Sequence, residues 1–164
     1  MNDGGPVMRQ EQRARVLVVD DQPENLRLIA SLLKPLDYDI RLAASGEEAI
    51  ASAEAEPPEL ILLDVSMPGM DGFEVCRRIK ERPRTADIPV IFLTAAHPEI
   101  EDMLQGFESG AVDYIPKPVD SRVISARVST QVRLRVVTQA IEENNELKTK
   151  LLAILGHDLR NPGA

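Results

Sequence analysis

Five polar residues of the sequence stand where a short apolar run ends. They are Asp20, Asp21, Asp64, Thr94 and Lys117. If the runs are parallel strands of one sheet, their carboxyl ends share one edge and the five side chains converge there. Three carboxylates in a small space repel one another, and magnesium, which prefers oxygen ligands, relieves that repulsion. A carboxylate nucleophile beside magnesium and a lysine is equipped for phosphoryl transfer, in which catalysis is mostly positioning and charge neutralisation.

The elements that must position these residues are five apolar runs. Continuous runs lie at 16–19, 60–63 and 90–93, and weaker runs lie at 39–43 and 113–116. A continuous run, in contrast to an alternating one, is expected of a strand that is buried on both faces. Each run is followed by a helix-length segment. The order of strand and helix, repeated five times, predicts an α/β fold with a doubly wound five-stranded parallel sheet, in the flavodoxin-like order 2-1-3-4-5.

The second of the helix-length segments has the clearest start and stop signals. Ser45 and Glu48 have the spacing of a capping box, and Pro57 and Pro58 end the segment. We therefore predict a helix over residues 48–55.

A single aspartate at a strand end is commonly a helix cap, but five polar residues at matching strand ends favour a site. A haloacid-dehalogenase type of site would have a second aspartate two residues after the nucleophile, where this sequence has Ser66. His97 has no second histidine or cysteine nearby, so we interpret it as a solvated loop residue rather than a metal ligand. These observations favour an acidic magnesium site over the other classes.

The composition limits where the protein acts and what it binds. With 27 acidic and 19 basic residues, the net charge of -8 argues against nucleic-acid partners and anionic membrane surfaces. No run approaches the ~18 apolar residues of a membrane span, and the first residues lack the apolar core of a signal peptide. The single cysteine, Cys76, cannot form an internal disulfide and is expected to be buried. We therefore expect a cytoplasmic protein with one domain and an appendage.

Four stretches of the sequence resemble the receiver domain of two-component response regulators. They are the pair Asp20-Asp21, residues 64–72 (DVSMPGMDG), the trio Thr94-Ala95-Ala96 and residues 110–118 (GAVDYIPKP). The resemblance covers residues 14–133. It implies that Asp64 accepts a phosphoryl group and that Asp21 binds magnesium directly, whereas Asp20 acts mostly through water. It also implies the Ser66 carbonyl as a further metal ligand and Lys117 as the contact to the phosphoryl oxygens.

The same resemblance implies a conformational switch. Thr94 would turn its hydroxyl toward the new phosphate, leaving room for the ring of Tyr114 to turn inward. It also implies a cis bond before Pro118, since X-Pro bonds adopt that form at little cost.

Beyond residue 133 the sequence predicts that the last helix continues. Between residues 119 and 159 the only proline or glycine is Gly156. Apolar residues and one asparagine recur at the a and d spacing of a parallel coiled coil. They are Val137, Ala140, Asn144, Leu147, Leu151 and Ile154. We expect a homodimer through this helix; the alternative is an amphipathic helix that lies on its own domain.

The end of the sequence resembles the phosphoacceptor helix of histidine kinases, the H-box. By that resemblance, His157 is the residue phosphorylated by ATP, Asp158 is its acidic neighbour, and Asn161 has the position used for dephosphorylating a partner. His157 lies about 200° from Leu155 and Leu159 on a helix and so points away from the apolar stripe. Since the chain stops at Ala164, we expect a truncated histidine kinase that lacks its ATP-binding domain.

We therefore divide the chain into four segments. They are a flexible terminus (1–13), a receiver (14–133), a coiled-coil linker (134–155) and the start of a phosphoacceptor helix (156–164). The predicted function is magnesium-dependent phosphorelay signalling, in which the receiver regulates an attached kinase and takes phosphate from a histidine protein or from its own kinase module. The alternative is a receiver that only docks and dimerises, without productive phosphorylation of His157. A transcription factor lacks support, because no DNA-binding domain follows.

Overall fold

A computed structural model describes residues 13–160 of the protein, with side chains through residue 156. Five parallel strands form one sheet in the order β2-β1-β3-β4-β5, which confirms the predicted fold class and strand order. The strands are β1 (Arg15–Val19), β2 (Asp39–Ala43), β3 (Leu60–Asp64), β4 (Val90–Thr94) and β5 (Asp113–Pro116). The predicted flexible terminus lies outside the described residues except for Arg13.

Five α-helices cover the two faces of the sheet. They are α1 (Pro23–Leu33), α2 (Gly46–Ala55), α3 (Gly72–Glu81), α4 (Ile100–Glu108) and α5 (Ser121–Arg160), and a short 3-10 helix (Lys34–Leu36) follows α1. The start predicted for α2 was two residues late. The hydroxyl of Ser45 accepts a hydrogen bond from the backbone N–H of Glu48 at 3.2 Å, so Ser45 is the N-cap and the helix begins directly after it.

Two apolar layers hold the helices against the sheet. On one face, α1 and α5 pack on the side chains of alternate strand residues, among them Val16, Leu62 and Leu93. On the other face, α2 and α3 pack on the intervening residues. Because the central strands are buried on both faces, their ends are held rigidly, and the polar residues that follow them have fixed positions. Cys76 is buried in α3, as predicted.

Helix α5 runs without interruption for 40 residues, which confirms that the last helix continues beyond the domain. Its first three turns pack on the sheet through Ile124, Val128 and Val132. Beyond Val132 no described side chain of α5 is buried, and Leu147, for example, is 67% exposed. From residue 140 to residue 155 every side chain of α5 is exposed, so that part of the helix does not pack on its own domain. Between residues 13 and 160, no helix is both long enough and apolar enough to cross a membrane.

Candidate functional site

An acidic cluster lies at the carboxyl edge of the two central strands. Asp20 and Asp21 follow β1, and Asp64 is the last residue of β3. One carboxylate oxygen from each of the three residues lies within 4.8 Å of the other two. Asp20 and Asp64 are buried, whereas Asp21 is partly exposed. The cluster therefore opens to solvent on the side of Asp21.

The contacts of Asp20 leave part of its carboxylate free. Its Oδ1 accepts a hydrogen bond from the backbone N–H of Gln22 at 2.9 Å, which holds the side chain in place. Its Oδ2 is buried and has no hydrogen-bond partner; the nearest cation, Nζ of Lys117, lies 3.7 Å away. A buried carboxylate oxygen without a donor is costly unless a cation binds it. Three convergent carboxylates with such an oxygen fit a divalent cation with oxygen ligands, of which magnesium is one.

Asp64 lies between this acidic pair and a lysine. Nζ of Lys117 donates to Oδ1 of Asp64 at 3.1 Å, and the backbone N–H of Ser66 donates to the same oxygen at 3.3 Å. Burial raises the pKa of the Asp64 carboxyl above its ordinary value, and the charge of Asp20 adds to this, while Lys117 and the Ser66 N–H partly offset it. The second oxygen of Asp64 takes part in neither hydrogen bond, as expected of a nucleophile.

The loop after Asp64 depends on a glycine for its path. A Cβ at Gly72 would lie 2.4 Å from the carbonyl oxygen of Asp64 and 2.8 Å from Cα of Val65, so only glycine fits there. Asp71, the residue before it, caps α3 by accepting from the N–H of Glu74 at 2.9 Å. Asp71 and Gly72 thus both shape the backbone of this turn. The sequence pattern did not reveal how closely Gly72 supports Asp64.

Lys117 extends to the cluster from the end of β5, which is an edge strand of the sheet. It follows β5, and its backbone N–H donates to the carbonyl of Thr94 at 2.7 Å, which ties the ends of β4 and β5 together. The peptide bond between Lys117 and Pro118 is cis, as predicted. The ammonium group of Lys117 lies between Asp20 and Asp64 and supplies one positive charge against three negative ones.

A small cavity lies beside the cluster, between the end of β4 and α4. Its volume is about 80 Å³, and Ser66, Thr94 and Tyr114 contribute to its wall. The hydroxyl of Thr94 donates to the neighbouring Ala95 carbonyl at 3.1 Å. The half-buried ring of Tyr114 packs on Phe107, with 5.2 Å between the ring centroids. The sequence pattern does not indicate a role for Phe107, because its contact with Tyr114 depends on the packing of α4.

The remaining predicted residues lie elsewhere. His97 is exposed in the loop after β4, consistent with a solvated residue. The backbone of His157 and Asp158 belongs to α5, but their side chains are outside the described part of the chain, as is the whole of Asn161. The structure therefore brings together Asp20, Asp21, Asp64 and Lys117, places Thr94 and Tyr114 beside them, and does not describe the predicted H-box side chains.

The fold and the acidic cluster define a flavodoxin-like α/β domain with a divalent-cation site at the carboxyl edge of its sheet. Residues 16–129 match the response regulator receiver domain family, and the chain belongs to that family. It is therefore a receiver domain of two-component signalling, a class of domain that interacts with phosphodonor histidine kinases or phosphotransfer proteins.

Individual relatives extend this result. Response regulator PleD of Caulobacter vibrioides is 41% identical over 150 residues, which cover 92% of this chain and 33% of that protein. A probable cyclic di-GMP phosphodiesterase of Vibrio cholerae is 40% identical over 147 residues, covering 88% and 33%. The solved receiver domain of a signal transduction histidine kinase from Syntrophus aciditrophicus has a TM-score of 0.67 and is 32% identical, covering 73% and 90%. The chain thus spans about a third of the length of the first two relatives.

Proposed function

We propose that Asp64 is the phosphoryl acceptor of this receiver and that the reaction requires magnesium bound by the acidic cluster. The observation that carries the proposal is the position of Asp64, which is buried between the pair Asp20-Asp21 and the ammonium of Lys117. Of the three carboxylates, it alone has a lysine and a backbone N–H on one oxygen and neither on the other. Lys117 and Ser66 thus hold the carboxylate in one orientation.

The chemistry follows from these contacts. The free oxygen of Asp64 attacks the phosphorus of a phosphohistidine or a small acyl phosphate, and the bond from phosphorus to the leaving group breaks. Asp20, Asp21 and Asp64, with the Ser66 carbonyl, would hold magnesium, which when bound neutralises charge on the phosphoryl oxygens. Lys117 supplies a second positive charge at a fixed position, and positioning of this kind is the main source of catalysis in phosphoryl transfer.

We propose further that Thr94 and Tyr114 convert phosphorylation into a surface change. The phosphoryl group adds negative charge and acceptor oxygens beside Thr94, so its hydroxyl exchanges the Ala95 carbonyl for a phosphoryl oxygen. The cavity that both residues line gives the Tyr114 ring space to turn inward, away from Phe107. The exposed side of α4 would then differ between the two states.

The direct test is incorporation of a phosphoryl group from a radiolabelled small acyl phosphate. We expect incorporation with magnesium, none with EDTA, and none in Asp64→Asn with magnesium present. Asp71→Asn is the matched control: it also removes one carboxylate near the site, but it preserves a good N-cap. Equal incorporation in Asp64→Asn and the control would exclude Asp64 as the acceptor.

We propose that α5 beyond residue 133 forms a parallel two-stranded coiled coil with a second copy of the chain. The groove between the receiver and this helix is lined by Asp87 and Pro89 on the receiver and by Leu134, Thr138 and Glu142 on the helix. At ~100° per residue, the a and d residues lie about 160° away from that groove. They therefore point away from the receiver, and a second helix can cover them.

Asn144 has an a position in this seam, where a polar residue favours a two-stranded register. The uninterrupted helix supports a rigid connection between the receiver and the residues that follow it. We propose that this connection regulates a histidine-kinase module in which His157 is the phosphoacceptor, assisted by Asp158 and Asn161. The likeness of the chain to the receiver of a signal transduction histidine kinase is consistent with that arrangement.

The alternative is a receiver that docks and dimerises without productive phosphorylation of His157. The relatives from Caulobacter vibrioides and Vibrio cholerae are consistent with this alternative, because they are a response regulator and a probable cyclic di-GMP phosphodiesterase. Incubation of the full-length protein with labelled ATP separates the two hypotheses. Label that is stable to base, labile to acid and absent from His157→Gln supports the kinase, whereas no label on His157 supports the alternative.

A further inference from the structure

The exposed part of α5 carries more apolar surface than a two-stranded seam needs. Outside the a and d positions, Val136 is 45% exposed and Ile141 is 55% exposed. Their neighbours Glu143 and Lys148 are exposed as well, and neither forms a salt bridge within the described chain. These four residues have no role in the receiver, and they flank the proposed seam.

The charges of Glu143 and Lys148 also lack partners along their own helix. Side chains three or four residues apart meet on a helix, and these positions around Glu143 hold Gln139, Ala140, Glu146 and Leu147. The corresponding positions around Lys148 hold two asparagines and two leucines. The two residues themselves are five apart, which places them about 140° from each other around the helix. An attraction between them is therefore possible only between two helices.

The heptad register brings them together across a dimer. With Val137 at an a position, Val136 and Glu143 have g positions, and Ile141 and Lys148 have e positions. In a parallel, in-register coiled coil, a g residue lies beside the e residue of the partner helix about five positions further on. Val136 then lies beside the partner's Ile141, and Glu143 lies beside the partner's Lys148. One apolar pair and one ion pair form on each side of the seam.

We infer that Val136, Ile141, Glu143 and Lys148, together with Asn144, form a pairing code that selects a second copy of this chain in parallel and in register. This inference rests on the dimer proposed above and names the residues that determine its partner and orientation. Charges at e and g positions are known to set partner choice and orientation in coiled coils. In an antiparallel pair with the same a and d layers, Asn144 would face the partner's Leu147 instead of the partner's Asn144. Ile141 would lie near the partner's Lys148 instead of the partner's Val136. An antiparallel pair would therefore lose both the asparagine pair and the apolar pair.

Charge exchange tests the code. Glu143→Lys creates two contacts between lysines in each dimer, and Lys148→Glu creates two contacts between glutamates. We expect each variant to dimerise about tenfold more weakly than wild type, the size expected when two exposed ion pairs become repulsions. The double variant, Glu143→Lys with Lys148→Glu, restores both pairs and should return to the wild-type dissociation constant. The control is Glu142→Lys, which makes the same charge change at an f position, on the side of the helix opposite to the seam, and should have little effect.

The most specific outcome is expected from a mixture. When Glu143→Lys chains carrying a size tag are mixed with Lys148→Glu chains, only the mixed dimer has an ion pair on both sides. Native mass spectrometry should find more mixed dimer than random exchange gives, and 1 M salt should reduce the excess, because the Debye length is then about 3 Å.

The outcomes separate this inference from the proposed dimer. If wild type is a dimer that Leu147→Lys with Leu151→Lys disrupts, but Glu143→Lys behaves like Glu142→Lys and the mixture exchanges randomly, the code is wrong and the dimer stands. If wild type is a monomer at tens of micromolar in sedimentation velocity, both are wrong. Weakening by each single exchange, restoration in the double variant and excess mixed dimer together support the code.

Discussion

The acidic cluster should destabilise the folded receiver when no cation is bound. The carboxylate oxygens of the cluster lie within 4.8 Å of one another, so each like-charge contact costs about 3.5 kcal/mol or more at an effective dielectric constant of 20, and Asp64 has two such contacts. The attraction between Asp64 and Lys117 at 3.1 Å offsets about 5 kcal/mol of this repulsion at the same dielectric constant. The remaining repulsion of about 2 kcal/mol should disappear in Asp64→Asn, because the amide oxygen can still accept from Lys117 and Ser66.

The assay is thermal and urea denaturation of both proteins at pH 7 in EDTA. We expect Asp64→Asn to be more stable by about 2 kcal/mol, with a Tm higher by ~5 °C. Asp71→Asn, which removes an exposed carboxylate outside the cluster, should stay within ~0.5 kcal/mol of wild type. An Asp64→Asn variant that is no more stable than the control would refute the argument that repulsion at Asp64 is uncompensated.

The pH dependence has a defined sign. The pKa of Asp64 is raised in the folded state, mainly by burial, so the folded protein holds this proton more tightly than the unfolded chain. Its contribution to stability is fully present below the unfolded pKa of about 3.9 and is lost as the pH rises through the folded pKa. The difference in stability between Asp64→Asn and wild type should therefore become smaller as the pH falls. Magnesium should also shrink it, since a ligand at a hundred times its Kd stabilises wild type by about 2.7 kcal/mol.

Three further predictions concern the metal, the loop and the helix. Asp21→Ala should clearly weaken magnesium binding in calorimetric titration, because it removes one ligand and one charge; unchanged affinity would place the cation elsewhere. Gly72→Ala should lower the free energy of unfolding by ~2 kcal/mol or more, since its Cβ would meet the Asp64 carbonyl at 2.4 Å, and denaturation with wild-type stability would contradict the stated contact. Leu147→Lys with Leu151→Lys should abolish dimers in analytical ultracentrifugation, whereas Asn144→Leu should keep assembly but change its register or stoichiometry.

Much of the fold could be predicted because its signals are local. The weak strands at 39–43 and 113–116 were predicted with the bounds that the structure has, since each is a short apolar segment between turn residues. The start of α2 was predicted less well, because the capping-box pattern marks the residues that cap a helix and not its first residue. The long α5 followed from the near absence of proline and glycine.

For the site, the sequence predicts which residues meet but not how their side chains are oriented. Parallel strands bring their carboxyl ends together, so the convergence of Asp20, Asp21 and Asp64 follows from topology. The unpartnered oxygen of Asp20 and the packing of Tyr114 on Phe107 depend on side-chain orientation and on α4, which the sequence pattern does not specify. The same limit applies to the seam of α5, because its partner is another chain.

If Asp64 carries the phosphoryl group, peptide mapping by mass spectrometry should locate the modification at this residue. Wild type is incubated with a small acyl phosphate and magnesium, digested at low pH, and searched for a phosphorylated aspartate. The expected result is a single modified position, Asp64, and no modification when EDTA replaces magnesium. A phosphoryl group found on Asp20, Asp21 or another residue, with Asp64 unmodified, would contradict it.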